Sequence, residues 1–133
     1  MPVVNAKVKF RCSVEKLWNI VTSLTDYTWR GDLSKIEVIS ENKFVEYTTD
    51  GYATTFTITL TEPYKRWEFD MENDNMKGHW TGIFSETNDE VEAVFTENVE
   101  AKKFFMKFFV KGYLKKQQNA YIADLKKAVE ESI

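Results

Sequence analysis

The 133-residue chain has little of what marks several large classes of protein. Its one cysteine, Cys12, cannot form an internal disulfide, and the N-terminus shows no charged, apolar and small-residue succession of a secretory leader. A reducing cytoplasm is the expected setting. No apolar run approaches the roughly 18 residues that a spanning helix requires, so integral membrane association is not expected. Cations are not in excess: 18 Lys and Arg stand against 21 Asp and Glu, for a formal net charge of −3. The molecule therefore lacks the basic field that phosphate contacts need, and nucleic acid is not an expected partner. There is one histidine, His79, and no G-x-S-x-G elbow, which leaves little for nucleophilic catalysis. The acidic stretch "DMENDN" at 70–75 lacks the glycine and the spaced glutamate of a calcium loop. It reads as a hairpin turn, and no metal or cofactor is expected.

Aromatic residues are what the chain has in quantity. Ten Phe, six Tyr and four Trp make up 15% of it, within an ordinary 43% hydrophobic and 29% charged composition. Wide, stiff side chains pack either solidly or around a flat ligand, and composition does not choose between the two. The length suits one domain over residues 1–133, large enough for a proper core.

Periodicity organises the chain. "VVNAKVKFR" at 3–11 alternates as a strand, and Ser13 stands as an N-cap before a helix whose Val14, Leu17, Trp18 and Val21 share one face. "KIEVIS" and "KFVEYTT" follow as strands, with Ile36 and Val38 on one face of the first. Asp50-Gly51 is a strong hairpin signal. "YATTFTITL" sets Tyr52, Thr54, Phe56, Ile58 and Leu60 on one side. "RWEFDME" sets Trp67, Phe69 and Met71, and "MKGHWTGIFSE" sets Met76, Trp80 and Phe84. After Asn88-Asp89 turns the chain, "EVEAVFTENVE" aligns Val91, Ala93, Phe95, Glu97 and Val99, and helix runs to the C-terminus. The expected fold is α+β: a curved seven-stranded antiparallel sheet with one apolar face, a short helix after the first strand, and a long final helix covering the concave side.

This succession resembles the helix-grip proteins of the START/Bet v 1-like (SRPBCC) superfamily, and in particular its small bacterial polyketide-cyclase-like and lipid-transport-like members. The resemblance rests on "SVEKLWNIVTSLTDYTWRGDLSKIEVI", "HWTGIFSETNDEVEAVFTENVE" and "YIADLKKAVEE", and covers nearly the whole chain. These patterns identify a fold better than an activity. The family implies a hydrophobic cavity between sheet and final helix, and with it a small hydrophobic molecule as partner. The Gly-rich loop of plant members has no counterpart, because "YTTDGYA" is only a hairpin.

The stretch "AKKFFMKFFVKGYLKK" at 101–116 poses a separate problem. Projected on a helix, Phe105, Phe108, Phe109, Gly112 and Tyr113 gather on one side, whereas Leu114, Tyr121, Leu125 and Val129 form a second stripe nearly opposite. One straight helix cannot bury both against one sheet. The favoured reading breaks the helix at Gly112, with 114–131 gripped and 102–111 a lid whose phenylalanines close the cavity. A continuous helix with a homodimer interface over 104–113 and a membrane-surface contact are the alternatives.

Among residues that carry chemistry, Glu97 leads. It shares a face with Val91, Ala93, Phe95 and Val99, so it projects inward, where a carboxyl must be paired, hydrogen-bonded or neutralised. It would serve as a general acid or base or as a polar hook, against the plain alternative of a glutamate in water at the rim. Arg30 is its expected partner, with Asp32 and Tyr47 nearby. Trp29, Phe56, Trp67, Trp80, Phe84 and Phe95 are expected as ligand-binding walls, with Phe105 and Phe109 at the mouth. His79 alternates with Trp80 and is expected on the outer surface, and Cys12 reads as a small buried hydrophobe. Apolar wall material is abundant and convergent polar groups are few. Binding, transport or sensing of a small hydrophobic ligand therefore leads over a cyclase or dehydratase activity, and over an interaction module with a filled core.

Overall fold

The computed structural model describes residues 3–103 and 109–131. Nine elements follow in order: β1 (Val3–Phe10), α1 (Val14–Thr22), β2 (Leu33–Ser40), β3 (Lys43–Thr48), β4 (Ala53–Glu62), β5 (Arg66–Glu72), β6 (Met76–Thr87), β7 (Glu90–Ala101) and α2 (Val110–Glu131). The strands form one antiparallel sheet in the order β1-β7-β6-β5-β4-β3-β2. Strands β2 to β7 are a meander of neighbours, and β1 closes onto β7, which places α1 between the two sheet edges in sequence. This is the helix-grip arrangement expected from the alternation.

Local chemistry accounts for the element ends. The Ser13 hydroxyl accepts from the Lys16 amide at 3.1 Å and caps α1, which buries Leu17, Trp18 and Val21. Gly51 sits at φ 87° in the β3–β4 hairpin, and Asn88 takes φ 35° between β6 and β7, so both turns use residues that tolerate the left-handed region.

Aromatic side chains cross the concave face one strand at a time. Phe44 stacks on Phe56 at 5.0 Å, Phe56 meets Phe69 edge-on at 5.1 Å, Phe69 stacks on Trp80 at 4.8 Å, and Trp80 lies on Phe95 at 5.4 Å. Tyr121 of α2 ends the row, 5.8 Å from Phe95. The row fits because residue 82 is glycine: a Cβ there would stand 2.6 Å from the Trp80 indole.

Three expectations are corrected. Leu60 and Val38 are exposed rather than inward. A bulge between Ile58 and Leu60 shifts the register of β4, and Val38 belongs to an edge strand with two register shifts of its own, one of them directly after Val38. The break at Gly112 does not occur. Helix α2 begins at Val110 and passes through Gly112 in its first turn, where amides have no intrahelical partner and glycine costs least. The two-stripe conflict is resolved by exposure: α2 buries Val110, Leu114, Gln118, Leu125 and Val129, while Phe109 (73% exposed) and Tyr113 (58%) stay outside. Residues 104–108, with Phe105, lie outside the described residues, and so does half of the segment of the lid reading (102–111) and of the dimer reading (104–113). No helix among the described residues is long and apolar enough to cross a membrane.

Candidate functional site: a chamber between sheet and final helix

Helix α2 packs against β1, β7 and α1. It thus covers one side of the concave face and stands off from the strands on the other, and a chamber of about 760 Å³ opens there. Its walls are the aromatic row from Phe44 to Tyr121, extended by Trp67 and Trp29.

A buried charged cluster stands beside the aromatic wall. The segment between α1 and β2 supplies Arg30, which is held in place from three sides. The Arg30 amide donates to Tyr27 O at 3.0 Å, the Gly31 amide donates to Asp124 Oδ2 of α2 at 3.0 Å, and the Thr49 amide donates to Asp32 O at 3.1 Å. The guanidinium donates through Nη1 to Glu46 Oε2 at 3.0 Å, and through Nη2 to Asp32 Oδ2 at 3.1 Å and Glu46 Oε1 at 3.3 Å. Its face lies 5.3 Å from the centre of the Tyr121 ring. Burial works against the Arg30 charge, but Glu46 and then Asp32 outweigh it and hold the guanidinium cationic. Trp29 Nε1 and Arg30 Nε are buried with no acceptor among the described residues.

Glu97 opens on the same chamber from the centre of β7. No described residue hydrogen-bonds its carboxyl. Burial pushes its pKa up from 4.5 to about 7; Arg30 pulls against this and the Glu46 charge adds to it. Arg30 acts on Glu97 through space only, because its hydrogen bonds go to Glu46 and Asp32 rather than to the expected partner. Tyr121 is buried, which raises its phenol well above the ordinary range, so it is a neutral wall group.

Of the residues singled out from sequence, Trp29, Arg30, Phe56, Trp67, Trp80, Phe95 and Glu97 line the chamber together. Phe84 does not. It lies beyond Gly82 on the same strand, buried edge-on against Trp18 of α1 at 5.5 Å, and is core rather than chamber wall. Phe109 is exposed and takes no part in the wall. Tyr47 points to the other face of β3, where its hydroxyl donates to Glu37 at 3.3 Å. Glu46 was missed, although its parity with the buried Phe44 marks it as inward. His79 lies on the outer face, its ring nitrogens 2.7 Å from Asp70 Oδ1 and 2.6 Å from Glu68 Oε1. Among the described residues no group of three or more His, Cys, Asp or Glu side chains is placed to hold a metal ion.

The sequence profile of the family described as polyketide cyclase / dehydrase and lipid transport matches residues 1–130. The chain belongs to this family. No curated protein matches it significantly in sequence. Solved structures of the same fold include a START superfamily protein from Mycobacterium smegmatis, with a TM-score of 0.87 at 14% identity over 98% of this chain and 99% of that one. The Aha1 dimer from Colwellia psychrerythraea gives 0.77 at 16% identity, covering 98% of each chain. The di-domain ARO/CYC BexL of the BE-7585A biosynthetic pathway gives 0.80 at 12% identity over 98% of this chain, which spans 47% of that protein. At these identities the likeness is one of fold. In this family member the concave face carries both the aromatic row and the Arg30–Glu46–Glu97 cluster.

Proposed function

We propose that this protein binds a small hydrophobic ligand, lipid-like or polyketide-like, in the chamber between the sheet and α2. The observation that carries the reading is the chamber itself: about 760 Å³ with a continuous row of aromatic rings along its wall and one buried charged cluster, on Arg30, Glu46 and Glu97. Apolar walls supply affinity through burial, and one or two placed polar groups fix orientation. Trp29, Arg30, Phe56, Trp67, Trp80, Phe95 and Glu97 are the residues we assign to the site. Native mass spectrometry of the protein isolated from its own cells tests this: a small organic molecule should leave with denaturation, and repeated isolation with none bound counts against it.

A second reading, an enzyme of the cyclase or dehydratase kind, is favoured within the site by Glu97. A carboxyl with a pKa of about 7 in an apolar chamber is suited to proton transfer near neutral pH. Family membership and the ARO/CYC name of BexL support the same idea. A further titratable group placed to act with Glu97 is not evident, because Arg30 and Glu46 are committed to each other and Tyr121 is held neutral. Binding is therefore the primary reading.

A further inference from the structure

The chamber's polar end restricts the charge of what it can hold. Its one buried guanidinium, on Arg30, is already offset by two carboxylates, Glu46 and Asp32. Lys116 at the chamber's rim is exposed and solvated, so the buried cluster keeps no unpaired cation for an anionic ligand, and a carboxylate entering beside Glu46 would give up its water without a partner. An ammonium ligand would need a free carboxylate or the open face of a central ring; Glu46 and Asp32 already accept from Arg30, and Glu97 offers no charge while it holds its proton. The two faces of the Trp80 indole are taken by Phe69 and Phe95, and Arg30 occupies the Tyr121 ring. What the cluster has in surplus is hydrogen-bond donors. Trp29 Nε1 and Arg30 Nε lack acceptors, and Glu97, when protonated, adds an O–H with no partner among the described residues.

We infer that the ligand is an uncharged hydrophobe bearing a carbonyl or comparable acceptor, that carboxylates are excluded, and that the protonated Glu97 carboxyl donates the hydrogen bond that holds it. This rests on the ligand-binding reading above. The groups facing Glu97 are Arg30 from the α1–β2 segment, Glu46 from β3, and Tyr113 and Tyr121 from α2, while its register partners Val4 of β1 and Trp80 of β6 carry no charge. Arg30 is held cationic and the tyrosines neutral, which leaves the two carboxyls, Glu46 and Glu97, to respond to pH in this range, and Glu46 accepts from Arg30. Binding through a protonated Glu97 therefore weakens as pH rises past its pKa, and bound ligand holds the proton on.

Three probes on one scaffold test the inference: 2-acetylnaphthalene, 2-naphthoate and 2-naphthylmethylamine, titrated into the protein at pH 6 and pH 8 by NMR. The ketone should bind at least roughly tenfold tighter than the naphthoate at pH 6, and roughly tenfold more weakly at pH 8 than at pH 6. Glu97→Gln, whose amide donates at every pH, should remove that pH dependence. Independently of any variant, the Glu97 carboxyl carbon in wild-type protein should titrate at higher pH when the ketone is bound. Naphthoate binding as tight as the ketone, an amine that binds tightest and improves with pH, or a Glu97 titration unmoved by the ketone would each overturn the inference and leave the chamber as a binding site. Failure of all three probes to bind would withdraw the inference and the binding reading together.

Discussion

Trp80 and Glu97 are direct cross-strand partners in the β6–β7 ladder, on the face that lines the chamber. The indole is clamped between Phe69 and Phe95, so it cannot turn aside to let water reach the carboxyl from the strand side. A charged-type residue is thereby held in an apolar wall, and its cost to the fold depends on pH. The Glu97 pKa, raised from 4.5 to about 7, means that its folded form prefers the proton. The stability this gives is fully present below about pH 4.5 and is lost as pH rises through 7.

Glu97→Gln should therefore be close to neutral for stability at pH 4.5 and stabilising at pH 8, by about 2–3 kcal/mol. Urea unfolding at the two pH values measures the difference. Equal effects at both would mean that Glu97 is solvated in the folded protein.

Arg30 is the counterion that makes this cluster tolerable. Arg30→Gln leaves Glu46 and Glu97 facing each other without a cation, and should cost about 3–5 kcal/mol at pH 8. The loss should shrink toward pH 5 as the stranded carboxyls take up protons. A cost that does not change with pH would point to lost packing against Tyr121 instead.

Gly82→Ala tests the aromatic row. The new methyl would need the space of the Trp80 ring, which its two stacked neighbours deny it. Overpacking of this kind costs about 1–3 kcal/mol, and the near-ultraviolet circular dichroism of the tryptophans should change with it. A neutral result would show that Trp80 is loosely held.

Much of this fold was legible because the code is periodic. Alternation over Trp67, Phe69 and Met71, and over Val91 to Val99, fixes which face is buried, and Glu97 was readable as inward for the same reason. What periodicity does not carry is the position of an irregular segment or a bulge. Arg30 sits between elements, so its pairing with Glu46 depends on anchors to Asp124 and Thr49 that no local pattern announces. Leu60 followed the alternation in sequence and left it in space, because one bulged residue inverts every side chain after it. Gly112 differs: it breaks nothing, because the helix begins only two residues before it, where glycine costs little.

On the outer face, His79 bridges Glu68 and Asp70 across the β5–β6 pair. Partial burial opposes its charge, but the hydrogen bonds its ring donates to Asp70 and Glu68 outweigh it and raise its pKa above 6.5. The stabilisation is present below pH 6.5 and fades as pH climbs through the raised value. Proton NMR should find the ring titrating above 6.5 in wild-type protein and lower in Asp70→Asn. Because the ring is partly exposed, the effect on stability should be small.

The account stands on unfilled space between the sheet and α2 that an apolar molecule can enter. NMR titration with 2-acetylnaphthalene at pH 6 tests this most directly. Saturable shifts and intermolecular contacts at Phe56, Trp67, Trp80 and Tyr121 are the predicted result, and saturable binding seen only at residues of the outer face, such as Lys77 and His79, would contradict it.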